Sequence, residues 1–291
     1  MRWLIAGAAV AALLFWFLTQ PVSLLPSDLP GHEPNPANGE LVFHAGGCSS
    51  CHGQNLGGGL EMHSDFGTFR VPNISPDNAT GIGLWTTADF VNAMMLGVSP
   101  GGKHYYPAFP YASYTRMRVQ DVIDLHAYIE SLPAVNSRAG QHSLAFPWNI
   151  RRGIGLWKMR YLNQSPVTRD ESGDPVFERG RYLVEGPGHC GECHTPRDAF
   201  GGLRTEVWLA GAPNPDGEGK VPNITAHEDG LKSWSKSDIA YYLQSGFMPD
   251  FDTVGGSMVE VQENISHLPA EDHEAIAEYL KSIPIHPDTV D

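Results

Sequence analysis

Positive charge is scarce in this chain of 291 residues. Against 33 aspartates and glutamates stand 19 lysines and arginines, a formal net charge of −14, which excludes an electrostatic grip on nucleic-acid phosphates. A basic partner is easier to accommodate. Cysteine is also sparse, and four residues are too few for a disulfide-scaffolded mini-protein. Charged residues of both signs make up only 18% of the chain, while 32 glycines and 23 prolines exceed average usage without reaching the range of disordered chains. That composition describes a loop-rich globular protein. No run of alternating strand-forming residues stands out, so the expected class is all-α with long loops. At this length two domains of about 100 to 150 residues each are expected.

The N-terminus carries the only long apolar run. Trp3 to Leu18 contains neither charge nor proline and is followed by Thr19, Gln20 and Pro21. A cleavable export signal ends its apolar core in a small-x-small site. Here Ala12 is followed by Leu13, Leu14, Phe15, Trp16, Phe17 and Leu18, so retention as a membrane anchor over residues 1–22 is expected. Extension to Val22 would give the ~20 residues that cross a bilayer. With Arg2 at the cytoplasmic headgroups, the bulk of the chain would lie on the far side of the membrane from the cytoplasm. A proline-rich tether follows over 23–37.

An internal repeat, offset by about 150 residues, organises the remainder. Cys48-Ser-Ser-Cys51-His52 matches Cys190-Gly-Glu-Cys193-His194, and Val71-Pro72-Asn73-Ile74 matches Val221-Pro222-Asn223-Ile224. Trp85, Asp89 and Gly97 match Trp234, Asp238 and Gly246, and each copy closes on a similar phrase, Asp121 to Pro133 and Asp272 to Pro284. Two domains are expected at 38–133 and 178–285, with a connector at 134–177 strapped across both and a tail at 286–291. In the closing phrases Val122, Leu125, Ile129 and Leu132 form one helical stripe, and Ile276, Tyr279, Leu280 and Ile283 the other. Further helices are expected from Thr86 and Ser235, whose hydroxyls can cap them with Asp89 and Asp238, and before each cysteine motif.

Cys-x-x-Cys-His is the attachment signature of c-type haem: both thiols form thioethers and the following histidine reaches the iron. Cys48, Cys51, His52 and Cys190, Cys193, His194 fit it twice, leaving no cysteine spare. A zinc ribbon needs its CxxC pairs about 15 to 20 residues apart, whereas 138 residues separate Cys51 from Cys190. A thioredoxin-like pair needs a βαβ context and no following histidine. Two covalently attached haem c groups are therefore expected.

The motif spacing, the Val-Pro-Asn-Ile phrase and the ending Tyr-x-x-Ser-Leu/Ile-Pro resemble bacterial membrane-anchored dihaem cytochromes c. These are similar to the cytochrome subunits of periplasmic alcohol, aldehyde and sugar dehydrogenases, over about Pro34 to Pro284. The dehydrogenase subunits usually carry three haem motifs, and this chain carries two. The resemblance implies two tandem class I cytochrome c-like domains, each with its N-terminal helix crossing its C-terminal one near Gly39 with Tyr128 and Gly180 with Tyr279. It also implies methionine as sixth iron ligand, delivered between the Val-Pro-Asn-Ile phrase and the last helix. Met258 is favoured over Met248 in the second copy. In the first, Tyr106-Pro-Ala-Phe109-Pro-Tyr111 has phenylalanine where the family has methionine, so Phe109 is expected to pack and Met117 to bind, with His104 in reserve. The expected metal ligands are thus His52, Met117, His194 and Met258, while Met62, Met94, Met95 and the other histidines are assigned to packing or surface.

The function expected is single-electron transfer, without substrate chemistry, from a periplasmic dehydrogenase to a respiratory acceptor such as a terminal oxidase or a soluble cytochrome. Two other classes stay open: a dihaem enzyme, either a peroxidase or a thiosulfate dehydrogenase, and an anchoring or assembly subunit.

Overall fold

The computed structural model describes residues 1–169, 173–214, 217 and 219–289. Parts of the expected connector (170–172), second domain (215, 216 and 218) and tail (290–291) lie outside that set. In chain order the helices of the first half are α1 (Arg2–Leu18), α2 (Pro36–Ala45), α3 (Cys48–His52), α4 (Thr87–Leu96), α5 (Tyr111–Tyr114) and α6 (Val119–Glu130). The second half carries α7 (Ile154–Tyr161), α8 (Pro175–Glu185), α9 (Gly191–His194), α10 (Lys236–Ser245), α11 (Met258–Ile265) and α12 (Ala270–Ser282). Five short strands accompany them: β1 (Glu61–Ser64), β2 (Gly67–Arg70), β3 (Ser143–Leu144), β4 (Ala212–Pro213) and β5 (Lys220–Val221).

Each repeat is built on one crossed helix pair. Asn35 caps α2, its side-chain oxygen accepting from the Ala37 and Asn38 amides at 3.1 and 3.4 Å, and Pro36 occupies the first helical position, where a missing N–H is harmless. The helix crosses α6 at Gly39, where a Cβ would fall 2.0 Å from the Asp124 carbonyl oxygen and 2.8 Å from Tyr128 Cβ. In the second repeat α8 crosses α12 at Gly180, with the Ala275 carbonyl oxygen 1.9 Å from a would-be Cβ. Only hydrogen fits at either crossing. Two buried clusters result, one holding Val42, Phe43, Phe90, Val122, Leu125 and Ile129, the other Leu183, Val184, Ile239, Leu243, Ile276 and Tyr279. Each buried aliphatic or aromatic side chain contributes roughly 1.5–3 kcal/mol. The helices α4 and α10 begin in matching capping boxes. The Asp89 amide donates to Thr86 Oγ1 at 3.1 Å and the Thr86 amide to Asp89 at 3.0 Å; Asp238 and Ser235 repeat this at 3.1 and 2.8 Å.

The expectation of an all-α fold with a transmembrane anchor is overturned on two counts. First, the fold is mostly helical but includes sheet: β1, β2 and β3 form an antiparallel three-stranded sheet, and β4 pairs with β5. The strands are at most four residues long, too short for an alternating pattern to show, and β3 comes from the connector rather than from the repeat it joins. Second, among the described residues no helix is long and apolar enough to cross a membrane, so the inner-membrane anchor over residues 1–22 is not supported. The helix α1 has 17 residues, a rise of about 25 Å against a hydrocarbon core of roughly 30 Å.

Pro21 closes α1 locally, since neither it nor the residue before it favours a continuing helix, and tertiary contacts seat the helix end. Thr19 is fully buried, its carbonyl accepting from His104 Nε2 at 2.9 Å and its hydroxyl from Arg152 Nε at 3.0 Å. Gly155 lies so close that a Cβ there would be 2.7 Å from Thr19 Cα. The helix end is thereby held against the body before Pro21. The basic connector residues work in the same way: Arg152 stands over the Trp16 ring at 4.2 Å, and Lys158 donates to the Leu96 and Gly97 carbonyls at the end of α4 at 2.5 and 2.7 Å. The connector also reaches the second repeat, where Trp157 Nε1 donates to the Phe200 carbonyl at 3.0 Å and the Tyr161 hydroxyl to Asp198 at 2.6 Å.

Candidate haem-attachment sites

The two Cys-x-x-Cys-His segments form the short helices α3 and α9. After each one the chain turns back through the same contacts. The Gly58 amide donates to the His52 carbonyl at 2.8 Å, and the Gly211 amide to the His194 carbonyl at 2.9 Å. Leu56 and Leu209, both at φ +60 and exposed by 2% or less, set that turn. The loop then brings the Val-Pro-Asn-Ile phrase beneath the histidine. His52 Nδ1–H donates to the Pro72 carbonyl at 2.8 Å, and His194 Nδ1–H to the Pro222 carbonyl at 2.7 Å.

Those two bonds decide the chemistry. Placing the proton on Nδ1 leaves the Nε2 lone pair for a metal, the usual division of labour in a ligating histidine. Burial holds His52 well below the ordinary imidazole range, at about 4, against the raising effect of the Pro72 carbonyl, and lowers His194 in the same way. Both rings are therefore neutral at physiological pH. The asparagines of the phrase tie it to the segment that follows each closing helix. Asn73 Nδ2 donates to the Val135 carbonyl at 2.7 Å and Asn223 Nδ2 to the His286 carbonyl at 2.8 Å. The sequence singled out the histidines but not their carbonyl partners, nor Leu56, Gly58, Leu209 and Gly211. The repeated Leu-x-Gly after each motif was the signal available.

No disulfide joins the four cysteines, and burial pushes the Cys48 and Cys190 thiols up to about 12. Among the described residues no group of three or more histidine, cysteine, aspartate or glutamate side chains could hold a metal ion by itself. The two cysteine pairs thus do not merge into a zinc-type cluster, and one histidine per motif is left facing a site that needs a ligand field from elsewhere. A porphyrin supplies four nitrogens, and the residues fit that group.

The positions of the two methionines follow from the repeat. The Tyr105 amide donates to the Gly97 carbonyl at 2.7 Å, and the Val254 amide to the Gly246 carbonyl at 2.8 Å, so Phe109 and Met258 occupy matching places four residues later. Met117 and Leu268 match in turn, each two residues before the closing helix and each buried, at 4% and 6% exposure. Sulfur and hydrocarbon have changed places: Phe109 with Met117 in one repeat, Met258 with Leu268 in the other. Phe109 packs edge-on to Tyr105 and Tyr114, with ring centroids 5.8 Å apart in both cases. Met248 lies in the turn before Met258, its amide donating to the Asp252 carbonyl. His104, held in reserve by the sequence, has its Nε2 on Thr19.

Each attachment segment is gripped by the other repeat. Ser49 and Ser50, the two residues between Cys48 and Cys51, are bridged by Asn264 of α11. The Ser49 hydroxyl donates to its oxygen and its amide group donates to Ser50 Oγ, both at 3.2 Å. Reciprocally, Ser113 of α5 donates to Glu192 Oε1, between Cys190 and Cys193, at 2.7 Å. Beside this clasp the rings of His44 and His267 stack at 3.9 Å.

Two haem-attachment helices, each with a correctly prepared histidine and mutually clasped, define a c-type cytochrome with two haems. Comparison with known proteins agrees. Residues 36–133 match the cytochrome c family. Over 290 residues the chain is 49% identical to a dihaem cytochrome c-type protein of Cereibacter sphaeroides, covering 97% of this chain and 95% of that one. It is 35% identical to the fructose dehydrogenase cytochrome subunit of Gluconobacter japonicus, covering 97% of this chain and 57% of the relative. The cytochrome c subunit of the quinone alcohol dehydrogenase of Gluconobacter oxydans is likewise 35% identical, with 86% and 55% covered. The chain belongs to the dihaem c-type cytochromes and carries two covalently attached haem c groups. It spans just over half the length of those two dehydrogenase subunits.

Proposed function

We propose that the chain is the electron-transfer partner or subunit of a dehydrogenase, taking electrons one at a time and passing them to a respiratory acceptor, a terminal oxidase or soluble cytochrome. It performs no substrate chemistry of its own. The observation that carries this reading is the reciprocal clasp, in which each attachment segment is held by a helix of the other repeat, an arrangement that would fix the two haem sites relative to each other. In this reading residues 38–133 and 178–285 are the haem domains, Cys48, Cys51, Cys190 and Cys193 would hold the vinyl groups, and His52 with Met117 and His194 with Met258 would hold the two irons. Bound there, haem iron would supply a one-electron couple, and ligation by thioether and imidazole would raise its potential relative to a bis-histidine site. The protein's own part is to hold the Nδ1 protons of His52 and His194 on the Pro72 and Pro222 carbonyls.

The relatives that are subunits of sugar and alcohol dehydrogenases support the choice of donor. The test is reduction of the oxidised holoprotein by such a dehydrogenase with its substrate, followed in the visible bands of reduced haem c. Full reduction of both haems is expected. Reduction by ascorbate but by no dehydrogenase would remove the donor assignment, and turnover of peroxide or thiosulfate by the protein alone would replace it with an enzyme.

A further inference from the structure

The residue just before the first cysteine of each motif differs between the repeats, in a place where the backbone makes the difference matter. It is Gly47 in the first repeat and His189 in the second, both left-handed, at φ +54 and +39. Glycine adopts this conformation freely, whereas a residue with a Cβ is strained in it, and such strain persists only where the surroundings impose it. The surroundings of His189 belong to the other repeat. Its Nε2–H donates to the Gly46 carbonyl at 3.3 Å, and its ring meets that of Tyr114 edge-on with centroids 5.4 Å apart. Gly46 lies between the two attachment loops, where an added Cβ would be 3.6 Å from the Pro187 carbonyl oxygen and 3.7 Å from Cys48 Sγ.

We propose that His189 is the residue that couples the two haem sites electronically. From Cys190 the path runs through one peptide bond to His189, through its ring to the Nε2–H···O=C hydrogen bond, and through Gly46 and Gly47 to Cys48. The strained backbone is what aims the imidazole across the interface. The exchange is one electron from a ferrous to a ferric iron; no covalent bond forms or breaks and no proton changes place. This rests on the reading of the chain as an electron carrier and assigns the internal step of that role.

The test uses the holoprotein with His189→Gly, which copies the first repeat and relieves the left-handed strain, and His189→Asn, which tolerates that backbone and keeps a shorter amide donor. One electron is injected photochemically into the oxidised protein, and its redistribution between the haems is timed, alongside both midpoint potentials and the thermal midpoint. Injection bypasses any dehydrogenase, so failure here is distinguishable from failure of the donor assignment. Expected for His189→Gly is a several-fold slower exchange with both potentials unmoved and thermal stability equal or higher, with His189→Asn in between. An unchanged rate, or a slower one accompanied by a shifted potential or a lowered thermal midpoint, overturns the proposal.

Discussion

At the scale of single residues, the exchange of Phe109 and Met117 for Met258 and Leu268 has the widest consequence. Each repeat keeps one sulfur and one bulky hydrocarbon in these two places, and under the proposed ligation the thioether would come from a different point on the chain in each. Met117 sits four residues before Asp121, and Met258 fourteen before Asp272, so the proposed ligation would make the two haems spectroscopically unequal. Either Met117→Ala or Met258→Ala is expected to open one iron to carbon monoxide, lower that haem's potential, and remove half of the weak long-wavelength sulfur-to-iron band of the oxidised protein. Retention of the full band in Met117→Ala would show that the first haem takes its sixth ligand elsewhere.

Among the elements, the crossed pairs α2 with α6 and α8 with α12 are alike at their glycines and different in their electrostatics. In the first pair the buried Asp124 receives the Asn35 amide at 2.8 Å, Asn38 Nδ2 at 2.8 Å and His32 Nε2 at 2.7 Å. The repeat places Ala275 at the matching position, and the second pair is instead joined by Arg179 and Asp272, with two hydrogen bonds of 2.7 Å. Burial alone would raise the Asp124 carboxyl, but its donors outweigh that and hold it below the ordinary range. A carboxyl whose pKa is depressed by folding adds stability above its unfolded pKa, about 4, and loses it as pH falls through the folded value. Asp124→Asn is therefore expected to lower stability at neutral pH and to flatten the acid limb of the stability curve. Guanidinium unfolding of parent and variant at a series of pH values checks this. Parallel acid limbs in the two proteins would exclude Asp124 as a source of acid sensitivity.

On the scale of the whole molecule, the haem-attachment segments are part of the interface between the repeats, beside contacts such as Tyr182 with Asp121 and His44 with His267, so docking of the repeats and the setting of the sites are linked. Asn264, Ser49 and Ser50 supply one side of the clasp and Ser113 with Glu192 the other. Asn264→Ala leaves the Ser49 hydroxyl without its acceptor in a buried place, a loss of about 1–3 kcal/mol. The parent holoprotein is expected to unfold in one transition, coincident at both haems, and Asn264→Ala to unfold at lower denaturant. Equal midpoints would mean that the clasp adds no stability.

The sequence by itself determined the features whose cause lies within a few residues. Two complete Cys-x-x-Cys-His motifs specify two attached haems because the thiols and histidine are neighbours on one helical turn. The capping boxes at Thr86 and Ser235 are legible for the same reason, since cap and acceptor are three residues apart. The closing phrases were visible because the chain states them twice, with Asp, Tyr, Ser and Pro kept in register, whereas the glycines at the helix crossings followed from the family resemblance. Only the tertiary structure decided the rest. Pro21 already keeps α1 from running on to Val22, but how its end is seated depends on Thr19 meeting His104, Arg152 and Gly155, partners at least 85 residues away. The small sheets depend on pairings such as Gly67 with Leu144, which no local pattern encodes. The use of the Val-Pro-Asn-Ile phrase as carbonyl partner of the histidine, and the clasp of each attachment segment by the opposite repeat, likewise arise from contacts far apart along the chain. Such contacts form only once the cores have closed, so their geometry is a property of the packing rather than of any segment.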